Sequence, residues 1–324
     1  MSILDLISKE TGVPVHQLLQ IVHTADHRYK TYQLPKRSGG VRVIHHPARE
    51  LKFLQRWLVS NVFRHAEIHP AASAYRSGAS VLKNATAHSG SRFFLKIDFV
   101  DFFPSIRISD VIPLVQKLRP RLPFELDAAD VSFVGKIATR HGRLTIGAPC
   151  SPVISNAVMY LFDQEMSSLA VRFDCRYTRY ADDIAFSTSR PSALQNLLAE
   201  VRAYLEQVTA PSLRINEKKL SFNSKKRRVI ITGLTVNSQG KISLGRRSKR
   251  KIKSLLYQYS LGNLDPRNTS YLLGYLSYAN GVEPDFVRSL ERKYGEKLLA
   301  QLRDAPTITR KVYSLAAPIG GLTI

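Results

Sequence analysis

The 324-residue chain is predicted to be an α+β protein, because segments of helical and strand periodicity follow one another in irregular order, with no internal repeat or low-complexity stretch among them. Two features sharpen that expectation. One is a short apolar run that ends on the carboxylate of Asp98, and the other is an alternating hairpin over residues 173–186 whose tip carries adjacent aspartates, Asp182 and Asp183. At about 100–200 residues per domain, the length admits two or three subdomains around a sizeable core.

Taken in order, Glu50 to Ala66 spaces Leu51, Leu54, Trp57, Leu58 and Val62 three and four apart, which predicts an amphipathic helix with Trp57 in the core. Phe93, Phe94, Leu95 and Ile97 form the apolar run before Asp98, as a buried strand does. Ser151-Pro152 is read as the opening of a helix, with a hydroxyl cap and a proline in the first turn ahead of Val153, Ile154, Ala157, Val158 and Leu161. In the hairpin, Phe173, Cys175 and Tyr177 alternate with Arg176, Thr178 and Tyr180, and Ile184-Ala185-Phe186 resumes as strand. Val229 to Val236 and Lys241 to Ser243 are expected as a strand pair about a turn at Asn237-Ser238-Gln239-Gly240. A helix over Arg246 to Tyr259, with Ile252, Leu255, Leu256 and Tyr259 on one face, is then followed by two more, Ser270 to Ala279 and Pro284 to Arg303, as a small helical subdomain.

Composition sets the class of partner. Apolar residues at 44% and charged ones at 23% are ordinary globular values, which excludes disorder of the whole chain, yet 48 Lys and Arg against 25 Asp and Glu leave a net charge of +23. That imbalance calls for a polyanion. The excess is concentrated, since Lys218 to Lys253 holds thirteen basic residues and no acidic one within 36 positions. Strand character interrupts the run, so the charge is expected on a folded surface, with Tyr257, Tyr259 and Tyr271 near it for stacking on bases. No stretch approaches the roughly 18 apolar residues of a membrane span. Asp5 and Glu10 stand where a secretory leader is basic and then apolar, so no membrane partner and a cytoplasmic location are expected. Two cysteines, Cys150 and Cys175, are too few for a disulfide framework or a four-ligand zinc site and are read as reduced, mostly buried thiols.

Adjacent aspartates in an apolar frame repel each other and resist desolvation, which a solvated turn explains only if the tip is exposed. A divalent cation removes the repulsion. With a third carboxylate from the strand ending at Asp98, the set makes a hard-oxygen site suited to Mg²⁺, of the two-ion kind that serves phosphoryl transfer.

The neighbours of these aspartates carry a resemblance. Tyr180-Ala181-Asp182-Asp183 resembles the YxDD signature of reverse transcriptases, and Leu95 to Ile106 (LKIDFVDFFPSI) is similar to the first aspartate motif of that superfamily. Leu144 to Pro152 (LTIGAPCSP) is similar to the LPQGAPxSP segment between them, with Ile146 where many relatives have Gln. Ile215 to Lys219 (INEKK) resembles the later lysine motif, with Leu220 where relatives often carry Thr, and Pro35 to Ile44 followed by Pro47 resembles the finger loop. Asn84 to His88 (NATAH) matches the NAxxH element of bacterial retron reverse transcriptases, and Ile231-Thr232-Gly233 resembles their VTG element. The likeness spans about Lys36 to Val236.

The resemblance implies a right-hand polymerase: fingers over 1–94, a palm on an antiparallel sheet over 95–244 with a fingers insertion at about 110–145, and a helical thumb and tail over 245–324. It implies Asp98, Asp182 and Asp183 as catalytic carboxylates holding two Mg²⁺ ions, Mn²⁺ being able to substitute, with the Phe99 carbonyl as a further ligand. Lys36, Arg37 and Arg42 would hold the triphosphate of a dNTP, Phe103 would stand beneath its sugar where a 2′-hydroxyl collides, Gly147 would allow close backbone approach, and Lys219 is a candidate proton donor to the pyrophosphate. RNA contacts are expected from Asn84, His88, Ile231, Thr232, Gly233, Arg246, Arg247, Lys249, Arg250 and Lys253. The implied partners are a cognate noncoding RNA, its RNA–DNA product and a separate effector protein of a phage-defence system. Three alternatives stay open at this point: another group II-like reverse transcriptase, an RNA-dependent RNA polymerase, which should carry a smaller or polar residue than Phe103, and a non-catalytic RNA-binding protein on a polymerase fold.

Overall fold

A computed structural model of the chain describes residues 2–35 and 39–305. Lys36, Arg37 and the tail 306–324 lie outside the described residues. The chain divides into two compact units, the first of Met1–Thr232 with Val236–Gly240, the second of Gly233–Thr235 with the chain from Lys241 onward.

The first unit opens with helices Ile3–Thr11 and Val15–His23, the former started by a reciprocal cap between Ser2 and Asp5 and stopped by Gly12 in the left-handed conformation. Strands β1 (Tyr29–Pro35) and β2 (Val41–Pro47) then form an antiparallel hairpin in which Leu34 faces Arg42 and Tyr32 faces Ile44. Helix Arg49–Asn61 buries Leu51, Leu54, Trp57 and Leu58, and the Trp57 indole donates to Glu10 Oε2 at 2.6 Å. The apolar spacing that continued to Ala66 covers a break at Val62 and a short 3-10 turn, Phe63–His65.

The central sheet has four antiparallel strands, β3 (Phe93–Asp98), β4 (Arg176–Tyr180), β5 (Asp183–Thr188) and β6 (Ser221–Ser224), in the order β4-β5-β3-β6. Strand β3 lies between two neighbours, and β5 packs against helix Ala193–Gln207, which is why both read as nearly unbroken apolar runs. Helices Ile108–Leu118 and Ala128–Ala138 pack on each other between β3 and the loop that leads to Ser151–Val158. Cys150, not Ser151, stands at the N-cap of that last helix and makes no side-chain cap. The Ser151 hydroxyl accepts from Thr145 N at 3.3 Å, so it fastens the incoming loop and leaves the helix start to Pro152.

The single strand expected over Val229 to Val236 is two, β7 (Val229–Ile231) and β8 (Leu234–Val236), because Thr232 (φ 45°) and Gly233 (φ 84°) are both left-handed, the backbone of a tight turn. The turn expected at Asn237–Gly240 is present, closed by Gly240 N on the Asn237 carbonyl at 3.0 Å.

In the second unit, β8 neighbours β9 (Ile242–Ser243), and four helices follow: Gly245–Ser260, Pro266–Val282, Pro284–Tyr294 and Glu296–Asp304. The continuous helix expected from Pro284 to Arg303 is broken at Gly295, whose φ of 86° ends the first segment. Ile252, Leu256, Leu272, Phe286, Leu290 and Leu302 bury the apolar faces of these helices. Both cysteines are free, Cys150 buried and Cys175 half-buried. Among the described residues no helix is long and apolar enough to cross a membrane.

Candidate active site

Register brings the carboxylates together. Asp98 ends β3 directly opposite Asp183, the first residue of β5, and Tyr180 pairs with Asp183 across the hairpin, so Ala181 and Asp182 form a two-residue turn beside them. Ala181 has φ 59°, the left-handed value that a two-residue hairpin requires of its first turn position. Burial, with the charges of Asp183 and Asp98, pushes Asp182 up to about 6. Burial also raises Asp183, against the pull of Lys96. The Lys219 ammonium lies 2.9 and 2.8 Å from the two oxygens of Asp98, and Asn216 donates its backbone N–H to the Asp98 carbonyl at 2.8 Å and its amide to Oδ1 at 3.3 Å.

The donor set suits a hard divalent cation: oxygen ligands only, two of them held in an uncomfortable charge state that a cation would relieve. Among the described residues no three such side chains are already arranged as a ready cage, and both oxygens of Asp98 are engaged by Lys219.

Around the carboxylates, Phe99 is buried, its ring stacked on Phe102 at 6.1 Å and edge-on to Phe162 at 5.7 Å. Phe103 is half-buried, 5.5 Å from the Phe102 ring. Arg42 is exposed on β2. Gly147 (φ 115°) approaches β2 so closely that a Cβ would sit 2.7 Å from the His45 carbonyl, and His45 N donates to Ile146 O at 2.8 Å. Its missing side chain therefore serves the packing of this loop on the β1–β2 hairpin. Tyr75 was not legible in the sequence. It is 48% exposed, left-handed at φ 58°, 6.4 Å ring to ring from Phe103, and its hydroxyl is raised by burial and by Asp182 while Arg42 lowers it.

Five of the expected RNA contacts are corrected. His88 is fully buried, Nδ1 at 2.7 Å from Ser187 Oγ and Nε2 at 2.8 Å from Thr178 Oγ1, so it pins helix Val81–Ala87 to the sheet. Asn84 is buried too, accepting from Ser73 Oγ at 2.8 Å and donating to Thr232 Oγ1 at 3.4 Å. Ile231 is a core side chain, and Thr232 donates to the Val81 carbonyl at 3.3 Å, which leaves exposed only Gly233 of that motif. In the second unit, Arg246, Arg247, Arg250 and Lys253 are exposed, but Lys249 is half-buried and paired with Glu283 at 2.6 Å, so it belongs to the unit's own packing.

A buried polar network beneath the turn completes the geometry. Arg179 donates Nε and Nη2 to the Asp163 carboxylate at 2.7 and 2.6 Å, both side chains having no exposure. Tyr177 OH donates to the same carboxylate at 2.7 Å. The alternation that places Tyr177 inward places Arg179 on the same face, and that was the available signal.

An antiparallel sheet with paired aspartates at a hairpin tip defines a nucleotidyl-transfer palm, and the comparisons agree. The family model described as "Reverse transcriptase (RNA-dependent DNA polymerase)" matches residues 34–236. The chain is 34% identical over 291 residues to the Retron Ec83 reverse transcriptase of Escherichia coli, covering 85% of this chain and 89% of that one. It is 34% identical over 278 residues to the Retron Ec73 reverse transcriptase of Escherichia coli, covering 83% and 88%. A solved telomerase from Candida tropicalis in complex with a fragment of telomeric RNA shares the fold with a TM-score of 0.52 at 11% identity, over 88% of this chain and 58% of that one. The chain belongs to the reverse transcriptases, RNA-directed DNA polymerases of right-hand fold, and within them to the bacterial retron family.

Proposed function

We propose that this enzyme copies part of its own structured noncoding RNA into DNA, starting from a 2′-hydroxyl of a guanosine in that RNA and leaving a branched RNA–DNA product. The supporting observation is the cross-strand pair Asp98–Asp183 with Asp182 at the turn, in a chain related over most of its length to retron enzymes. Residues 1–94 with about 110–145 act as fingers, 95–244 as palm and 245 onward as thumb.

Asp98, Asp182 and the Phe99 carbonyl, with Asp183 close behind, are the ligands for two Mg²⁺ ions, or Mn²⁺ in their place. When bound, such ions favour the ionised attacking hydroxyl and stabilise the leaving pyrophosphate. Arg42 orients the triphosphate of the dNTP, together with Lys36 and Arg37 of the finger loop. Phe103 stands under the sugar and excludes ribonucleotides, and Lys219 delivers a proton to the pyrophosphate, a role supported by its charged state beside Asp98. Arg246, Arg247, Arg250 and Lys253 grip the RNA backbone. The same reading gives the enzyme a role in phage defence with a separate effector protein, and a place in the cytoplasm, in keeping with the absence of a membrane-spanning helix among the described residues.

The test is to express the chain with the RNA transcribed beside its gene and look for DNA joined to RNA through a 2′–5′ bond, released to a linear form by a debranching enzyme. Extension of annealed primers without any branched product on that RNA overturns the priming reading and leaves the polymerase intact.

A further inference from the structure

Among the left-handed residues near the carboxylates that are not glycine are Tyr75 (φ 58°) and Ala181 (φ 59°), beside Asp101 (φ 47°). The first two share a support. Such a backbone is held only where the surroundings insist on it. Both hang from one buried side chain, Asn156. Its Nδ2 donates to the Ala74 carbonyl at 2.8 Å, next to Tyr75, and its Oδ1 accepts from Arg179 Nη1 at 3.1 Å. The same Nη1 reaches the Ala181 carbonyl at 3.2 Å, and the rest of the guanidinium is fixed on Asp163. Asn156 and Arg179 are both fully buried. The aromatic ring so presented is half-exposed beside Phe103. A large apolar ring in a strained, solvent-facing pose is poor packing and a good wall.

We propose that Tyr75 forms, with Phe103, the wall of the deoxynucleotide pocket, and that Asn156 is a positioning residue setting both that wall and the catalytic turn. The inference rests on the polymerase reading of this site and adds a specificity contact to it. Asn156 acts through two separable bonds. Its amide N–H orients the Ala74–Tyr75 segment, and its carbonyl orients Arg179 and so the turn at Ala181-Asp182. The first should govern nucleotide binding and the second the chemical step.

The experiment is single-nucleotide extension of an annealed DNA primer on an RNA template, with Mg²⁺, kcat and the KM for dNTP measured separately and template affinity measured by gel shift. Tyr75→Ala should raise the KM about tenfold or more with kcat within about threefold and template affinity unchanged. Tyr75→Phe, which retains the ring, should recover most of that KM. Tyr75→Gly should be as defective in KM as Tyr75→Ala but melt higher, because glycine accepts the left-handed backbone. Asn156→Asp keeps an acceptor for Arg179 and loses the donor to Ala74, so it should raise the KM and spare kcat, whereas Asn156→Ala should impair both. An unchanged KM in Tyr75→Ala, with wild-type extension normal, overturns the inference. Absence of extension by the wild type overturns the polymerase reading instead. Should the Asn156 variants not fold, the half-exposed Tyr75 series decides the wall on its own, and equal loss of kcat and template affinity throughout that series refutes it.

Discussion

Lys219 sets its ammonium on both oxygens of Asp98, at 2.8 and 2.9 Å, although the lysine side chain is half-exposed and the aspartate nearly buried. The palm thus has a cation of its own against the carboxylate that ends β3. Burial pulls the Lys219 ammonium down, yet the Asp98 bond and the neighbouring carboxylates outweigh it and hold the group above its ordinary value. A charge of +1 beside three carboxylates leaves the cluster short of neutral, which is the electrostatic room a divalent ion fills.

Asp98→Asn and Asp182→Ala are expected to lower primer extension by about a thousandfold or more, the equivalent of about 4 kcal/mol, because each removes a proposed metal ligand that only the reacting complex needs. RNA affinity, which depends on the basic surface, should stay within about twofold. Near wild-type extension by either variant rules out these residues as ligands.

Removing the lysine charge separates its structural part from its chemical part. Without divalent ions, Lys219→Gln should melt about 2–4 °C lower, a small effect because the pair is half-exposed. Addition of Mg²⁺ should then stabilise the variant more than the wild type, since the ion no longer displaces an ammonium. Equal Mg²⁺-induced shifts in the two proteins refute the competition.

Trimming Phe103 to Ala should raise the incorporation of rNTP relative to dNTP about tenfold or more, since the proposed discrimination is steric and no hydrogen bond is lost. The ring packs on Phe102, so a fall in melting temperature accompanies the change. A ratio that does not rise moves the gate to another side chain, and Tyr75 is the neighbour to examine.

The palm was legible because its chemistry is local in sequence. Asp98 closes an apolar run, and Asp182-Asp183 sits in a two-residue turn between alternating strands, so strand periodicity alone brings the carboxylates to one edge. What the sequence hid are residues whose role depends on distant partners. Asn84 and His88 carry polar groups that suit RNA, but Ser73, Ser187 and Thr178 from elsewhere in the chain already satisfy them. Tyr75 lies in an unpatterned stretch, and the Asn156 bond to the Ala74 carbonyl beside it comes from a residue 82 positions away. Val229 to Val236 reads as one strand because β-branched residues lie on both sides of Thr232-Gly233, whose left-handed angles cut it in two.

Acid should unfold the protein partly through His88. Burial, and then the charge of Arg176, lower this ring to about 4 from an ordinary value of 6.5. Above pH 6.5 the ring is neutral folded and unfolded, and its contribution is complete. Between pH 6.5 and 4 the unfolded chain takes up a proton that the folded one refuses, so stability falls as pH falls, by as much as about 3 kcal/mol, and levels off below 4. His88→Gln, able to bond both hydroxyls, should flatten the melting temperature against pH in that window relative to wild type. An unchanged slope means that another group carries the acid sensitivity.

The basic helix Gly245–Ser260 offers two kinds of cation, and they should fail differently. Arg246 and Arg250 are exposed, so each is expected to neutralise a phosphate and release a counterion on RNA binding. Their joint change to Ala should weaken RNA binding at low salt and reduce the slope of log affinity against log salt by about 2, with the melting temperature unchanged. Lys249 belongs to the fold. It pairs with Glu283 at 2.6 Å and lies 5.2 Å from the Phe286 ring, and Glu283 also accepts from Ser243 Oγ at 3.0 Å and Leu244 N at 3.2 Å. Lys249→Ala leaves that nearly buried carboxylate without its cation, at a cost of about 1–3 kcal/mol, and should lower the melting temperature while the salt slope stays put. A drop in the salt slope for Lys249→Ala equal to that for a single Arg246→Ala change would place Lys249 on the RNA after all, and a flat salt dependence of the wild type would take the net charge of +23 out of RNA binding altogether.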